Sequence, residues 1–181
     1  MDDRRARFEA QILPHLDAAY RFASWLARSP DLTDDIVQES MLRAYRAFDS
    51  VRGSNAKAWL LAIVRNCCLS AIEQRQRHLH VPLPEEFDAE SGHGQTPEAS
   101  DPESASIRSD ERRELSSVLS ELPDQYREVL VLREIEDMGY REIALATNVP
   151  IGTVMSRLAR ARSALKKQWL DRIGGEARAL S

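Results

Sequence analysis

The chain has 181 residues, 43% of them hydrophobic and 30% charged, which is a foldable, soluble composition and neither a disordered nor a fibrous one. Aromatics at 6% and only 7 glycines argue against a turn-rich β sandwich. The longest apolar run, Ala58 to Val64, is 7 residues, against the ~20 that a membrane span needs. The N-terminus, Met-Asp-Asp-Arg-Arg, has no apolar stretch of a secretory signal. The two cysteines, Cys67 and Cys68, are adjacent and set up no disulfide framework. The expected setting is the reducing cytoplasm, without membrane insertion. The net charge of −4 hides an uneven distribution. Residues 1–80 carry 12 basic side chains against 10 acidic, 81–110 carry 1 against 8, and 111–181 carry 12 against 11. Two segments, 52–77 and 140–169, are basic by 5 to 1 and 6 to 1. Basic stretches of this kind are the electrostatic footprint of polyanion binding.

In chain order, Phe8, Ile12, Leu16, Ala19, Tyr20, Ala23 and Leu26 fall at helical spacing and predict a helix over 6–28, with Pro14 marking a kink or break and Pro30 lying past its end. A second helix over 32–48 has an apolar stripe of Leu32, Ile36, Val37, Met41, Ala44, Tyr45 and Phe48. Thr33 is its expected N-cap, and Asp34 and Asp35 suit the positive end of the dipole. The opposite face shows Asp35, Gln38, Glu39, Leu42, Arg43 and Arg46, where Leu42 suggests a partner surface rather than a purely solvated one. Residues 56–77 predict a third helix, with Trp59, Leu60, Ile63, Val64, Cys67 and Ala71 as its stripe and Lys57, Arg65, Arg75 and Arg77 outside it.

Four of the 8 prolines fall between Val81 and Asp110, with Gly92 and Gly94 and a single aromatic, Phe87. That segment cannot bury enough apolar surface to offset its ordering entropy. The expected organisation is therefore all-α: an N-terminal helix bundle over 1–80, a flexible acidic linker over 81–107, and a C-terminal four-helix domain over 108–175. In the last, helices are predicted over 108–121 and 124–135 around Pro123, with Gly139 breaking the chain.

A short helix, Tyr140–Thr147, a turn over 148–151 and a long basic helix from Gly152 to about Trp169 then fit a helix-turn-helix. Val154, Leu158 and Leu165 face inward on the long helix. Thr153, Met155, Ser156, Arg157, Ala159, Arg160, Arg162, Lys166 and Lys167 are left mostly outward, where early residues meet base edges and later cations hold phosphates.

Tyr140-Arg-Glu-Ile-Ala144, followed by Val149-Pro-Ile-Gly-Thr-Val-Met-Ser-Arg-Leu-Ala-Arg-Ala-Arg162, resembles region 4 of bacterial sigma factors of the extracytoplasmic-function (ECF) group. Asp34-Asp-Ile-Val-Gln-Glu-Ser-Met-Leu-Arg-Ala-Tyr45 and Trp59-Leu-Leu-Ala-Ile-Val-Arg-Asn66 are similar to the polymerase-docking and promoter-melting helices of region 2. The resemblance covers about residues 5–170. It implies a promoter-specificity subunit of RNA polymerase with no catalytic residues, no cofactor and no metal. Asp35, Gln38, Glu39, Leu42, Arg43 and Arg46 would bind the β′ coiled coil of core polymerase, and the β flap is a further expected contact. Arg52, Ser54, Asn55, Lys57, Trp59, Arg65, Asn66, Arg75 and Arg77 would handle the −10 element as separated strands. Thr153, Met155, Ser156, Arg157, Ala159, Arg160, Arg162 and Lys166 would read the −35 element as duplex. An anti-sigma factor is the expected regulator.

Two positions depart from the family pattern: Ser70 and Glu73 stand where Asp and Arg are common. They bear on how the end of the melting helix meets DNA. Met155 and Ala159 offer no hydrogen bonds to base edges, so thymine methyl groups or DNA shape would carry specificity there. His78, His80 and His93 lack the spacing of a zinc site, and Cys67 reads as core with Cys68 near the edge of the stripe. Two other classes stay open at this point. One is a sigma-like mimic that sequesters an anti-sigma factor. The other is a plain helix-turn-helix regulator, which would leave the docking and melting helices without a purpose.

Overall fold

The structure, a computed structural model, describes residues 2–50, 55–79 and 117–179. Every element among them is helical. The linker over 81–107, Arg52 and Ser54 of the −10 set, His80 and His93, and the start of the helix expected over 108–121 lie outside the described residues.

Helix α1 (Asp2–Ile12) ends at a 3-10 turn, Leu13–His15, and α2 (Leu16–Ala27) follows. Pro14 sits in that turn, because its ring and missing N–H break the i→i−4 ladder. Arg28 closes α2 in the left-handed region at φ 55°, its N–H bonded to the Ser24 carbonyl. Helix α3 (Pro30–Ala47) starts four residues earlier than a cap at Thr33 implies, with Ser29 as the N-cap residue and Pro30 in the first turn. Proline is well suited there, since its fixed φ is helical and its absent N–H would have had no partner. Thr33 is instead buried inside the helix, its hydroxyl donating to the Ser29 carbonyl at 2.8 Å. Helix α4 (Ala56–Leu79) completes the first half.

In the second half residues 117–121 are helical, and α5 (Asp124–Leu130) runs into a π turn, Val131–Ile135. The π turn is defined by Glu136 N–H bonding to the Val131 carbonyl at 3.0 Å, five residues back. Gly139 donates its N–H to Glu142 Oε2 at 2.7 Å and opens α6 (Tyr140–Thr147), whose expected bounds the structure reproduces. Asn148 turns the chain at φ 54°, a left-handed conformation that Asn tolerates. The last helix, α7 (Ile151–Ala179), begins beside Pro150 and extends ten residues beyond the expected end near Trp169.

Arg127 is buried, and it ties this half together. Its Nε donates to the Leu119 carbonyl at 3.0 Å, and Nη2 donates to the Leu122 carbonyl at 2.7 Å and to Asp124 at 2.8 Å. The guanidinium thus satisfies carbonyls that end one helix while anchoring the start of the next.

The buried side chains form one continuous core that runs through both halves. Helix α4 is the element they share, because it is apolar on two faces. Leu60, Val64 and Cys67 lie on the predicted stripe, whereas Ala58, Leu61 and Cys68 bury a second one. Helix α6 packs along α4, and α5 packs against α2. Cys68 therefore lies in the core and not at the edge of a stripe. Tyr20, placed in the α2 stripe by spacing, is 41% exposed.

Candidate functional site

Three surfaces carry the residues singled out from the sequence. The first is the outer face of α3. Ile36, Val37, Ser40 and Ala44 turn inward, which leaves Asp35, Gln38, Leu42, Arg43 and Arg46 exposed and Glu39 half-buried. Glu39 and Arg43 pair at 2.6 Å, one turn apart. Leu42 is 48% exposed at the centre of this charged face, and Tyr45 beside it is also exposed. Arg4 braces the end of the helix, donating to the Tyr45 carbonyl at 2.8 Å and pairing with Asp49 at 3.1 Å. A single large apolar side chain ringed by charge on a rigid helix has the anatomy of a binding hot spot.

The second surface is the outer face of α7. Val154, Leu158 and Ala161 are buried, and Leu165 packs partly against the core. Met155, Ser156, Ala159, Arg160, Arg162 and Lys166 are exposed, and Thr153 and Arg157 are half-buried. Arg162 is bonded to Glu134 at 2.7 Å, with both side chains about half exposed. Among the described residues Arg160 makes no ion pair, and it is exposed with Met155 and Ser156 on the first turns of the helix that follows the tight turn. Tyr140 and Ile151 add exposed apolar area at that end. This is the recognition-helix geometry, with exposed N-terminal residues on a helix held by its inner face.

The third surface is α4, and here the structure brings together residues that sequence reasoning left apart. Asn66, Arg75 and Arg77 are exposed, and Asn55 and Trp59 are half-buried. Lys57 and Arg65 are engaged by the second half. Lys57 Nζ lies 3.0 Å from Glu136 Oε2 and 2.6 Å from the Glu136 carbonyl. Arg21 of α2 joins the same carboxylate through two bonds of 2.8 and 3.1 Å. The Glu136 side chain is fully buried between these two cations. Arg65 pairs with the buried Glu128. Farther out, Arg28 reaches Asp124 at 3.3 Å.

Burial pushes the Glu128 carboxyl above its ordinary range, while the Arg65 hydrogen bond and charge, and then Arg157, pull it back. Burial also raises the Cys68 thiol to about 12, assisted by Cys67 and Glu128. At that value the thiolate is essentially absent near neutrality. Among the described residues no cluster of His, Cys, Asp and Glu is arranged to hold a metal ion. No helix among them is long and apolar enough to cross a membrane. Glu128, Glu136, Arg21 and Arg127 went unmarked in the sequence. Only the close spacing of two acids, eight residues apart on α5 and its extension, hinted that one face of that helix carries charge into the core.

Comparison with known proteins gives this geometry its family. Residues 12–78 match Sigma-70 region 2, and residues 112–165 match Sigma-70, region 4. The chain is 38% identical over 135 residues to the ECF RNA polymerase sigma-E factor of Salmonella typhimurium, covering 72% of this chain and 70% of that one. It is 32% identical over 157 residues to the ECF RNA polymerase sigma factor SigE of Mycolicibacterium smegmatis, 86% of this chain but 58% of the relative's length. Among solved structures, the sigma factor RpoE in complex with the anti-sigma factor NepR from Bartonella quintana superposes with a TM-score of 0.71 at 27% identity, over 90% of this chain and 96% of that one. CnrH in complex with the cytosolic domain of CnrY shares the fold, with a TM-score of 0.63 at 23% identity over 93% and 90% of the two chains. The two matched regions define a protein of the sigma-70 family. The chain belongs to its extracytoplasmic-function group.

Proposed function

We propose that the protein binds core RNA polymerase and directs it to a particular set of promoters, performing no chemistry of its own. The observation that carries this reading is one chain presenting both an exposed apolar-centred helix face (Leu42 on α3) and an exposed recognition helix (α7). A plain DNA-binding regulator needs only the second of these.

In this reading the α3 face docks on the β′ coiled coil. Leu42 supplies the apolar anchor, and Asp35, Gln38, Glu39, Arg43 and Arg46 supply the polar rim that fixes register. A β flap contact positions the second half. Helix α7 enters the major groove at the −35 element. Arg160 and Ser156 meet base edges, Met155 and Ala159 pack on thymine methyl groups, and Thr153, Arg157, Arg162 and Lys166 hold phosphates. Helix α4 and the residues before it, Arg52, Ser54 and Asn55, hold the opened −10 strand. Lys57, Arg65, Arg75 and Arg77 neutralise its backbone, and Trp59 and Asn66 contact bases. The protein works where polymerase works, in the cytoplasm. The similar solved structure of RpoE is named as a sigma factor in complex with an anti-sigma factor, and an anti-sigma protein clamped over both halves is the proposed regulator of this chain.

The experiment is binding to sigma-free core polymerase, followed by initiation on promoter DNA. Binding with initiation supports the reading. Core binding without initiation supports a mimic, and DNA binding without core binding supports a plain regulator.

A further inference from the structure

We propose that the protein carries a small-ligand site where the turn between α2 and α3 meets the start of α5, and that this site takes a phosphate monoester bearing one planar ring, the chemistry of a nucleoside monophosphate. None of its lining residues is assigned above to polymerase or DNA, so the site stands apart from the proposed function.

Four observations carry it. The first is a cavity of about 250 Å³, lined by Trp25, Arg28, Ser29 and Pro30 on one side and by Ser120 and Arg127 on the other. Pockets for small molecules run from ~300 Å³ upward, so this one suits a ligand of one ring and one anionic group. The second is that two guanidiniums converge on a single oxyanion position. Arg28 and Arg127 both reach Asp124 Oδ1, at 3.3 and 2.8 Å. The Asp124 side chain is 83% exposed, so it can turn to solvent and yield that position to a phosphate oxygen. Guanidiniums hold phosphate through the same charge-assisted bonds that hold a carboxylate. The third is the start of α3 in the cavity wall. Ser29 makes no side-chain cap and Pro30 brings no N–H, so the N–H groups of Asp31 and Leu32 lack an intrahelical acceptor at the positive end of an 18-residue helix. Ser24 adds a further hydroxyl to the lining. The fourth is Trp25, half-buried, which packs against the core and also lines the cavity. An indole held in this way is a stacking surface for a planar ring. An inorganic anion would leave that wall unused, and a neutral ring would leave the cations unused. A phosphate monoester with a ring engages both.

The test is isothermal titration calorimetry of the full chain with AMP at fixed ionic strength, alongside adenosine and inorganic phosphate. AMP is expected to bind at one site per chain, with adenosine and phosphate each weaker by roughly tenfold or more. D124N removes the competing carboxylate charge and should tighten AMP by about fivefold. R28N removes one guanidinium while Asn tolerates the left-handed backbone at φ 55°, and it should weaken AMP by about tenfold, the loss of one charge-assisted bond. R5Q makes the same charge change at an exposed site on α1, outside the cavity, and should leave the affinity unchanged. Saturating AMP should also raise the thermal midpoint of the parent and of D124N, which shows in the same samples that both are folded. No one-site binding of AMP in the parent, phosphate alone binding as tightly as AMP, weaker binding in D124N, or equal behaviour of R28N and R5Q would each overturn the inference. None of these readouts needs polymerase or promoter DNA. Failure of the parent to bind core therefore counts against the sigma-factor reading alone, and failure to bind AMP counts against this inference alone.

Discussion

Glu128 shows how a buried charge at the junction sets a pH dependence. Burial raises its folded-state pKa above the unfolded value of about 4.3, with Arg65 opposing. The folded protein therefore binds this proton more tightly than the unfolded chain does. The contribution to stability is fully present below the unfolded value and is lost as pH rises through the raised one. Thermal unfolding of the parent should lose midpoint over that window relative to E128Q, which has no proton to release there. A parent and E128Q that run parallel in pH would contradict the assignment. Arg65 presents the converse case. R65A leaves Glu128 buried without its cation and should cost about 3 kcal/mol in denaturant unfolding, whereas breaking the solvent-screened Arg5–Glu9 pair should leave the unfolding midpoint in place. Cys68, buried and with its thiol raised to about 12, should resist a thiol reagent in the native protein and react only on unfolding, which a colorimetric thiol assay measures.

At the scale of elements, the local signals carried far. Pro14 marked the break between α1 and α2, and the run from Tyr140 through Asn148 to Pro150 marked the helix-turn-helix, because proline geometry and a left-handed Asn act within a turn of where they stand. The start of α3 was misplaced for a related reason. Thr33 is a good cap residue, but Pro30 suits the first turn, and the Thr33 hydroxyl serves the Ser29 carbonyl instead. The second buried face of α4 was not legible at all. Nothing near Ala58, Leu61 and Cys68 in sequence announces a partner, since Glu128 lies 63 residues beyond Arg65. Likewise the docking and recognition faces could be drawn as helical surfaces, yet which cations stay free on them depends on contacts across the molecule. Leu42 projects from α3 without entering the core, so L42D should leave the unfolding midpoint unchanged and abolish capture by core polymerase. R160A should leave that capture intact and lower initiation at the cognate promoter by roughly tenfold, the value of one good base or phosphate contact. A pull-down with core and a run-off assay separate the two effects.

At the scale of the whole molecule, two basic surfaces, α4 and α7, share one continuous core while an acidic pair lies between them. A chain with net charge −4 can present basic surfaces because its cations are grouped, 8 of its 29 acids fall in 81–110, and Glu128 and Glu136 are buried. Binding to promoter DNA in the polymerase complex should weaken steeply with salt, because each neutralised phosphate releases counterions. The central claim is that polymerase reads promoters through this chain, and it is tested most directly by transcription of fragmented genomic DNA. Sigma-free core polymerase is run with and without the protein, and the 5′ ends of the transcripts are mapped. The account predicts new start sites that appear only with the protein and share two upstream motifs at a fixed spacing. Identical ends with and without the protein, despite intact binding to core, would contradict it.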